Sequence, residues 1–223
     1  MPSNPDPSAN RQLPTAARPD RGVAGVVLAA GQSIRMGRNK LFVELGGESL
    51  LRRAVKRAID ARLEPVLVVV GHEAERAIAA LSSLRCAPVV NDDYARGINS
   101  SVRAGIRAVP PDIDAAVVML ADMPLVSSDM IATVAERYRE ASAPLVISQY
   151  GDVNAPPTLY SRPLFAEFLA LEGEGCGKHV VKRHRHEAAI VSWPPDALTD
   201  LDVPEEYDRV RAFIEEGAQF HAR

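Results

Sequence analysis

The stretch VVLAAGQSIRMGRNK, residues 26–40, begins as a run of apolar residues and changes abruptly into a polar segment. A short continuous apolar run is typical of a strand that is covered on both faces of its sheet. Gly31 and Gly37 bracket the polar segment, and Arg35 and Lys40 add two positive charges to it. The stretch therefore predicts a buried strand followed by a loop that carries cations.

Apolar runs and amphipathic segments continue to alternate along the rest of the chain. Runs of strand length recur at PVLVVVG, APVVND, AAVVMLADMP, PLVISQY, PPTLY and AAIVSW. Between them lie segments with apolar residues at helical spacing, such as SLLRRAVKRAIDARL with Ser49 as its N-cap. This alternation indicates an α/β fold with three layers, in which a mostly parallel, Rossmann-like sheet carries helices on both faces.

The composition changes once, near residue 22. Residues 1–21 contain five prolines and few residues that could be buried, which predicts a disordered N-terminal leader. No linker interrupts the pattern after that point, so residues 22–223 are expected to form a single domain. Hydrophobic residues make up 47% of the chain, which is enough to build a sizeable core.

Charge and cysteine content limit the possible partners and compartments. A formal net charge of −3 argues against electrostatic wrapping of nucleic acid. No apolar run is long enough to span a bilayer, and the N-terminus lacks the apolar core of a signal peptide. Cys86 and Cys176 lie far apart and form no disulfide framework. We therefore expect a cytoplasmic protein that binds neither nucleic acid nor membrane.

The loop after the first strand is the first candidate for chemistry, because ligands of such sheets bind at the carboxyl ends of the strands. Backbone N–H groups of a glycine-bounded turn can bind phosphate, and Arg35 and Lys40 would add positive charge. The alternative is a strand–helix connection with solvated cations. Neither Gly-x-x-x-x-Gly-Lys-Ser/Thr nor Gly-x-Gly-x-x-Gly is present in the chain.

Two acidic residues are candidates for a metal site. Asp122 follows a buried run, where a carboxylate could hold Mg²⁺ together with phosphate oxygens of a substrate. Asp202, in the segment DLDVPEE (residues 200–206), could complete that site. The alternative for both is a turn or a helix N-terminus, where acidic side chains are also favourable.

Two further segments could contact ligands. Ser100 and Ser101 open a helix whose N-terminal N–H groups can meet an anion or a base edge, or they are simply caps. In GEGCGKHVVKRHRH (residues 173–186), a glycine-rich turn precedes Lys178 and Lys182 on one helical face. This basic face could bind an anionic acceptor or be solvated.

The motifs taken together resemble a known family. LAAGQSIRMGRNK, GESLLRRAV, VVVG, GINSSVRAG, LADMPLV and DLDVPEE occur in the order found in the MobA-like nucleotidyltransferases, which include the cytidylyl- and guanylyltransferases of the molybdenum cofactor. The resemblance covers residues 23–210. It implies a fold similar to the nucleotide-diphospho-sugar transferases. It also implies transfer of a nucleoside monophosphate from an NTP to a phosphorylated acceptor, with molybdopterin or the molybdenum cofactor as the acceptor and release of pyrophosphate.

The resemblance also implies roles for individual residues. Arg35 and Lys40 would neutralise the phosphates of the nucleotide and act in catalysis together with Asp122. Asp122 and Asp202 would hold Mg²⁺, the implied cofactor. The residues that would bind the nucleotide are Leu28, Ala29, Ala30, Gly31, Ser100 and Ser101. LAAG, in place of the LAGG common in guanylyl relatives, favours CTP as the nucleotide.

The chain departs from its relatives mainly in the acceptor region. It has Asn154-Ala155-Pro156 where relatives that use molybdopterin often have Gly-His-Pro, and its turn at residues 173–178 also differs. The residues predicted to bind the acceptor are Asn154, Pro156, Gly175, Gly177 and Lys178. Two other functions stay open: a chaperone that binds cofactor during maturation of a molybdoenzyme partner, and a redox enzyme of heterocycle breakdown.

Overall fold

The computed structural model describes residues 22–32, 39–170 and 176–199, together with Tyr207 and Val210. The leader predicted for residues 1–21 lies outside this part of the chain. Seven strands form one sheet in the order β5-β4-β1-β6-β8-β7-β9, and β2 pairs with β3 in a separate hairpin. The strands are β1 (Val23–Ala29), β2 (Glu44–Leu45), β3 (Glu48–Ser49), β4 (Val66–Val70), β5 (Ala87–Val90), β6 (Ala115–Leu120), β7 (Leu145–Tyr150), β8 (Val153–Ser161) and β9 (Ala189–Trp193).

The sheet is mostly parallel, as the alternating pattern predicts. β1 pairs in parallel with β4 and β6, β4 with β5, and β7 with β9. Among the strands of the described ranges, β8 alone runs in the opposite direction in this sheet, antiparallel to β6 and β7. The run PPTLY is thus the second half of a longer strand, and its apolar pattern carried no information about its direction.

Helices cover both faces of the sheet. They are α1 (Leu50–Asp60), α2 (Ala74–Leu81), α3 (Ile98–Ala108), α4 (Ser128–Ala141), α5 (Arg162–Ala170) and α6 (Cys176–His184). α1, α2 and α4 bury their apolar side chains on one face, and α3, α5 and α6 do so on the other. Ser49 caps α1 as predicted, since its Oγ accepts a hydrogen bond from the Arg52 N–H at 3.5 Å.

β1 shows why the opening stretch is apolar without interruption. Alternate residues of the strand, such as Val23 and Val27, pack into the layer of α1, α2 and α4. The residues between them, such as Ala24 and Val26, pack into the layer of α3, α5 and α6. Every residue of the strand is buried, so no position in it tolerates a solvated side chain.

The direction of the strands brings the candidate site together. β1, β4, β5 and β6 end at the same edge of the sheet because they are parallel. β8 runs the other way, so its first residues, including Asn154, also lie at this edge. Polar residues that are far apart in sequence are therefore collected at one edge.

Gly105 allows α3 to lie close to the sheet. A Cβ atom at this position would be 2.4 Å from Cγ1 of Val26 and 3.0 Å from Cγ2 of Val69. Both neighbours belong to buried central strands that cannot move independently.

We expect Gly105→Ala to lower the free energy of unfolding by about 1–3 kcal/mol, because the methyl group overpacks the interface between α3 and the sheet. Urea denaturation followed by circular dichroism measures the change. Arg107→Ala, on the exposed side of the same helix, is the control and should stay close to wild type. A stabilised Gly105→Ala variant would contradict the close packing, since alanine favours helix over glycine.

Candidate functional site

An ion pair between Lys40 and Asp122 joins two loops at the carboxyl edge of the sheet. Lys40 Nζ lies 2.8 Å from Asp122 Oδ2, and the two side chains are only 14% and 24% exposed. Lys40 opens a short 3₁₀ turn (Lys40–Phe42), in which Asn39 Oδ1 accepts a hydrogen bond from the Leu41 N–H at 3.2 Å. Partial burial protects such a pair from screening by salt. Two of the residues predicted to act in catalysis thus lie in direct contact.

The end of β1 is tied to both neighbouring loops through its backbone. The carbonyl oxygen of Leu28 accepts from the Ala121 N–H at 3.1 Å, and that of Ala30 accepts from the His72 N–H at 3.3 Å. Side chains from Leu28 to Ala30 are buried, whereas Gly31 is exposed and a Cβ atom there would meet nothing within 4 Å. Leu28, Ala29 and Ala30 could therefore contact a nucleotide only through their backbone atoms. At Gly31 the backbone is exposed and no side chain covers it.

Arg57 holds the turn that follows Asp122, although sequence reasoning missed it. Its Nη1 donates a hydrogen bond to the carbonyl oxygen of Pro124 at 2.6 Å. Burial and the neighbouring charge of Arg53 lower the pKa of Arg57, yet a guanidinium stays charged at neutral pH. In the sequence, Arg57 stands out only as a cation beside the apolar stripe of α1. An arginine that is fully solvated gives the same pattern, so the sequence could not distinguish the two.

Ser100 and Ser101 are both buried and both contact Asn91. Asn91 Nδ2 donates to Ser100 Oγ at 2.9 Å and to Ser101 Oγ at 3.1 Å, while Asn91 Oδ1 accepts from the Asp93 N–H at 3.2 Å. Ser100 Oγ also donates to the carbonyl oxygen of Gly97 at 2.8 Å. The two hydroxyl groups thus fix the connection between β5 and α3. Their contact with a nucleotide stays a prediction.

The predicted acceptor residues fall into two segments. Asn154 is exposed in the first half of β8, and the carbonyl oxygen of Pro156 accepts from the Tyr150 hydroxyl at 2.9 Å. Gly177 and the exposed Lys178 lie in the first turn of α6, in the layer of α3 and α5. In the described part of the chain, no hydrogen bond or ion pair joins the two segments. A shared acceptor pocket therefore stays a prediction.

Three of the predicted site residues, Arg35, Gly175 and Asp202, lie outside the described residues. Within the described ranges, no group of three or more His, Cys, Asp or Glu side chains could hold a metal ion. Asp122 supplies one partly exposed carboxylate. That donor fits Mg²⁺, which binds through one or two protein carboxylates while substrate phosphates and water complete its coordination.

No helix among these ranges is both long and apolar enough to cross a membrane.

A family model for the MobA-like NTP transferase domain matches residues 25–188. The chain belongs to this family. The purine catabolism protein PucB of Bacillus subtilis (strain 168) is 33% identical over 198 residues, which are 84% of this chain and 95% of that protein. The bifunctional protein GlmU of Anaeromyxobacter dehalogenans (strain 2CP-C) is 36% identical over 126 residues, or 54% of this chain and 26% of that longer protein.

The fold agrees with this membership. The crystal structure of Rv0371c from Mycobacterium tuberculosis H37Rv superimposes with a TM-score of 0.76 at 26% identity, covering 86% of this chain and 97% of that one. A second crystal structure, described as Rv0371C in complex with manganese, gives a TM-score of 0.70 at 23% identity over 86% and 98% of the two chains. The predicted resemblance and fold class are therefore confirmed, and both are those of nucleotidyltransferases.

We expect Asn91→Ala to destabilise the protein by about 1–3 kcal/mol, because the variant leaves buried serine oxygens and the Asp93 N–H without their partner. Thermal unfolding measures the effect, and Asp92→Ala on the exposed neighbouring position is the control. If Asn91→Ala unfolds at the wild-type temperature, the three side chains do not support the loop.

Proposed function

We propose that the protein is a Mg²⁺-dependent nucleotidyltransferase that transfers CMP, or another nucleoside monophosphate, from an NTP to a phosphorylated acceptor and releases pyrophosphate. Family membership supports the class of reaction. The observation that carries the proposal is the contact of Lys40 with Asp122 at the edge where β1 ends, two residues before the open position Gly31. The favoured acceptor is molybdopterin or the molybdenum cofactor, as the resemblance implies.

The chemistry requires cations more than it requires a base. An oxygen of the acceptor phosphate forms the new bond to the α-phosphorus, and the bond to pyrophosphate breaks with its electron pair on the leaving oxygen. Both reactants are anionic, so Lys40 would reduce their repulsion and stabilise charge in the transition state. A bound Mg²⁺ would supply further neutralisation of phosphate charge, held by Asp122 and, in our proposal, Asp202.

The ion pair would also keep Lys40 in place before substrate binds. A lysine ammonium has three donors, one of which faces Asp122 Oδ2. Asp122 keeps a second carboxylate oxygen for a metal ion. Backbone atoms at the end of β1, fixed to both neighbouring loops, would border the nucleotide.

We expect Lys40→Met and Asp122→Asn to lower kcat by two orders of magnitude or more, on the order of the losses seen when a charge-stabilising group is removed. Pyrophosphate release measures turnover, and thermal unfolding checks that each variant folds. Lys56→Met is the matched control, since Lys56 is exposed and pairs with Glu48 at 2.5 Å away from the proposed chemistry. Near-normal turnover of Asp122→Asn would refute its metal role.

The nucleotide and the acceptor can be identified in one series of reactions. Purified protein is incubated with Mg²⁺, molybdopterin and each NTP in turn, and the products are examined by mass spectrometry. The proposal predicts a cytidylylated pterin with CTP and no pyrophosphate release after chelation of the metal ion. If another phosphorylated metabolite is nucleotidylated and molybdopterin never is, the acceptor assignment fails while the transferase assignment stands.

We expect Lys178→Ala to raise the KM for the acceptor with little change in NTP binding, because Lys178 would meet an anionic group of the acceptor. Steady-state kinetics with the acceptor varied, and calorimetric titration with CTP, separate the two effects. Arg137→Ala, an exposed cation on α4, is the control. An unchanged acceptor KM would instead leave Lys178 as part of a solvated basic face.

A second candidate function is an accessory role in purine breakdown, and the similarity to PucB favours it. In that case the protein would bind a cofactor for a molybdoenzyme partner without transferring a nucleotide. Binding of molybdopterin without pyrophosphate release under all conditions would support this alternative. A redox enzyme is less favoured because the chain lacks a Gly-x-Gly-x-x-Gly fingerprint for a dinucleotide.

A further inference from the structure

Glu73 occupies an unfavourable backbone conformation immediately before α2. Its φ of +54° places it in the left-handed region, which costs a non-glycine residue free energy. Its side chain makes no capping hydrogen bond to the helix that it precedes. Glutamate at this position therefore does not serve as the N-cap of α2.

The side chain of Glu73 instead belongs to a group of four residues that we call the Glu73 cluster: Asn39, Phe42, Glu73 and Arg76. Glu73 Oε1 accepts a hydrogen bond from Arg76 Nη1 at 2.9 Å. The guanidinium carbon of Arg76 lies 3.8 Å from the centre of the Phe42 ring, which is the geometry of a cation–π contact. Glu73 and Arg76 thus link α2 to the far end of the 3₁₀ turn that Lys40 opens.

The near end of that turn approaches the same carboxylate. The Asn39 amide and the Arg76 guanidinium lower the pKa of the Glu73 carboxyl. Asn39 Nδ2 is buried, and among the described residues it closes no hydrogen bond of regular geometry. Its Oδ1 is already engaged with the Leu41 N–H.

From these contacts we infer that Glu73 and Arg76 are positioning residues that hold Lys40 against Asp122. Phe42 closes the 3₁₀ turn that Lys40 opens, so its contact with the Arg76 guanidinium restricts the position of that turn. An exposed ion pair three residues apart on a helix contributes little to stability, which leaves placement of the turn as its main effect. The inference rests on the proposed function, since it assigns Lys40 a part in catalysis.

Glu73→Gly separates placement from stability, because glycine adopts a positive φ without strain. A purely structural role predicts an equal or higher melting temperature and unchanged turnover. Positioning predicts the same melting temperature with a fall in kcat of roughly tenfold or more and little change in the KM for NTP, since the lost placement acts in the transition state. Glu73→Gln keeps an oxygen acceptor for Arg76 and should retain most of the kcat.

Two further non-glycine residues in the described part of the chain have a positive φ and provide matched controls. Arg62 (φ 59°) and Ser142 (φ 51°) are exposed just after α1 and α4, respectively. Arg62→Gly and Ser142→Gly relieve the same kind of strain, so they should raise or maintain the melting temperature and leave kcat at the wild-type value.

A second measurement does not depend on turnover. Acetylation of Lys40 by an amine-reactive ester, followed by mass spectrometry of the free protein, should be at least about threefold faster in Glu73→Gly, because the amine loses its fixed contact with Asp122. An unchanged labelling rate overturns the inference, and so does faster labelling with wild-type kcat. If the wild-type protein turns over no NTP at all, the proposed function fails and the labelling result alone decides whether Glu73 places Lys40.

Discussion

Burial of β1 on both faces is the constraint on which the rest of the structure depends. The strand pairs along most of its length with β4 and β6, and its side chains alternate between the two helical layers. Each buried valine or leucine contributes roughly 1.5–3 kcal/mol, so a polar substitution within the strand would be costly. Polar chemistry is therefore excluded from the strand and appears where it ends, beside the ends of its neighbours.

The loops at this edge are fixed by hydrogen bonds that use backbone oxygens. Arg57 reaches Pro124 and Arg53 reaches Leu45, in both cases through a carbonyl group. Because carbonyl groups are neutral, these contacts fix the loops without adding negative charge to them.

The start of β8, which carries the predicted acceptor residues Asn154 and Pro156, is attached to the sheet in an irregular way. Pro156 and Pro157 cannot donate hydrogen bonds to a neighbouring strand, and the pairing register with β7 shifts between Ile147 and Gln149. Side chains of β7 bond the proline carbonyl oxygens instead: the Tyr150 hydroxyl at 2.9 Å and the Ser148 hydroxyl at 2.7 Å. These side-chain hydrogen bonds keep β8 attached to β7 at the point where the prolines prevent a regular ladder of backbone hydrogen bonds.

Local sequence patterns were sufficient to predict the alternating strands and helices, the layers, the cap at Ser49 and the edge of the sheet at which the candidate site residues lie. The signature around Lys40 and Asp122 was sufficient to predict the family, because short motifs survive in sequence order. Both kinds of information are contained in neighbouring residues.

Contacts between distant residues were decided only by the tertiary structure. Arg57 and Pro124 are 67 positions apart, and nothing in either segment reports that they meet. The same holds for Asn91 with the two serines, for the reversed direction of β8, and for Arg76 over Phe42. Periodicity describes which side of an element is buried, whereas these contacts depend on how the packed layers bring the ends of different elements together.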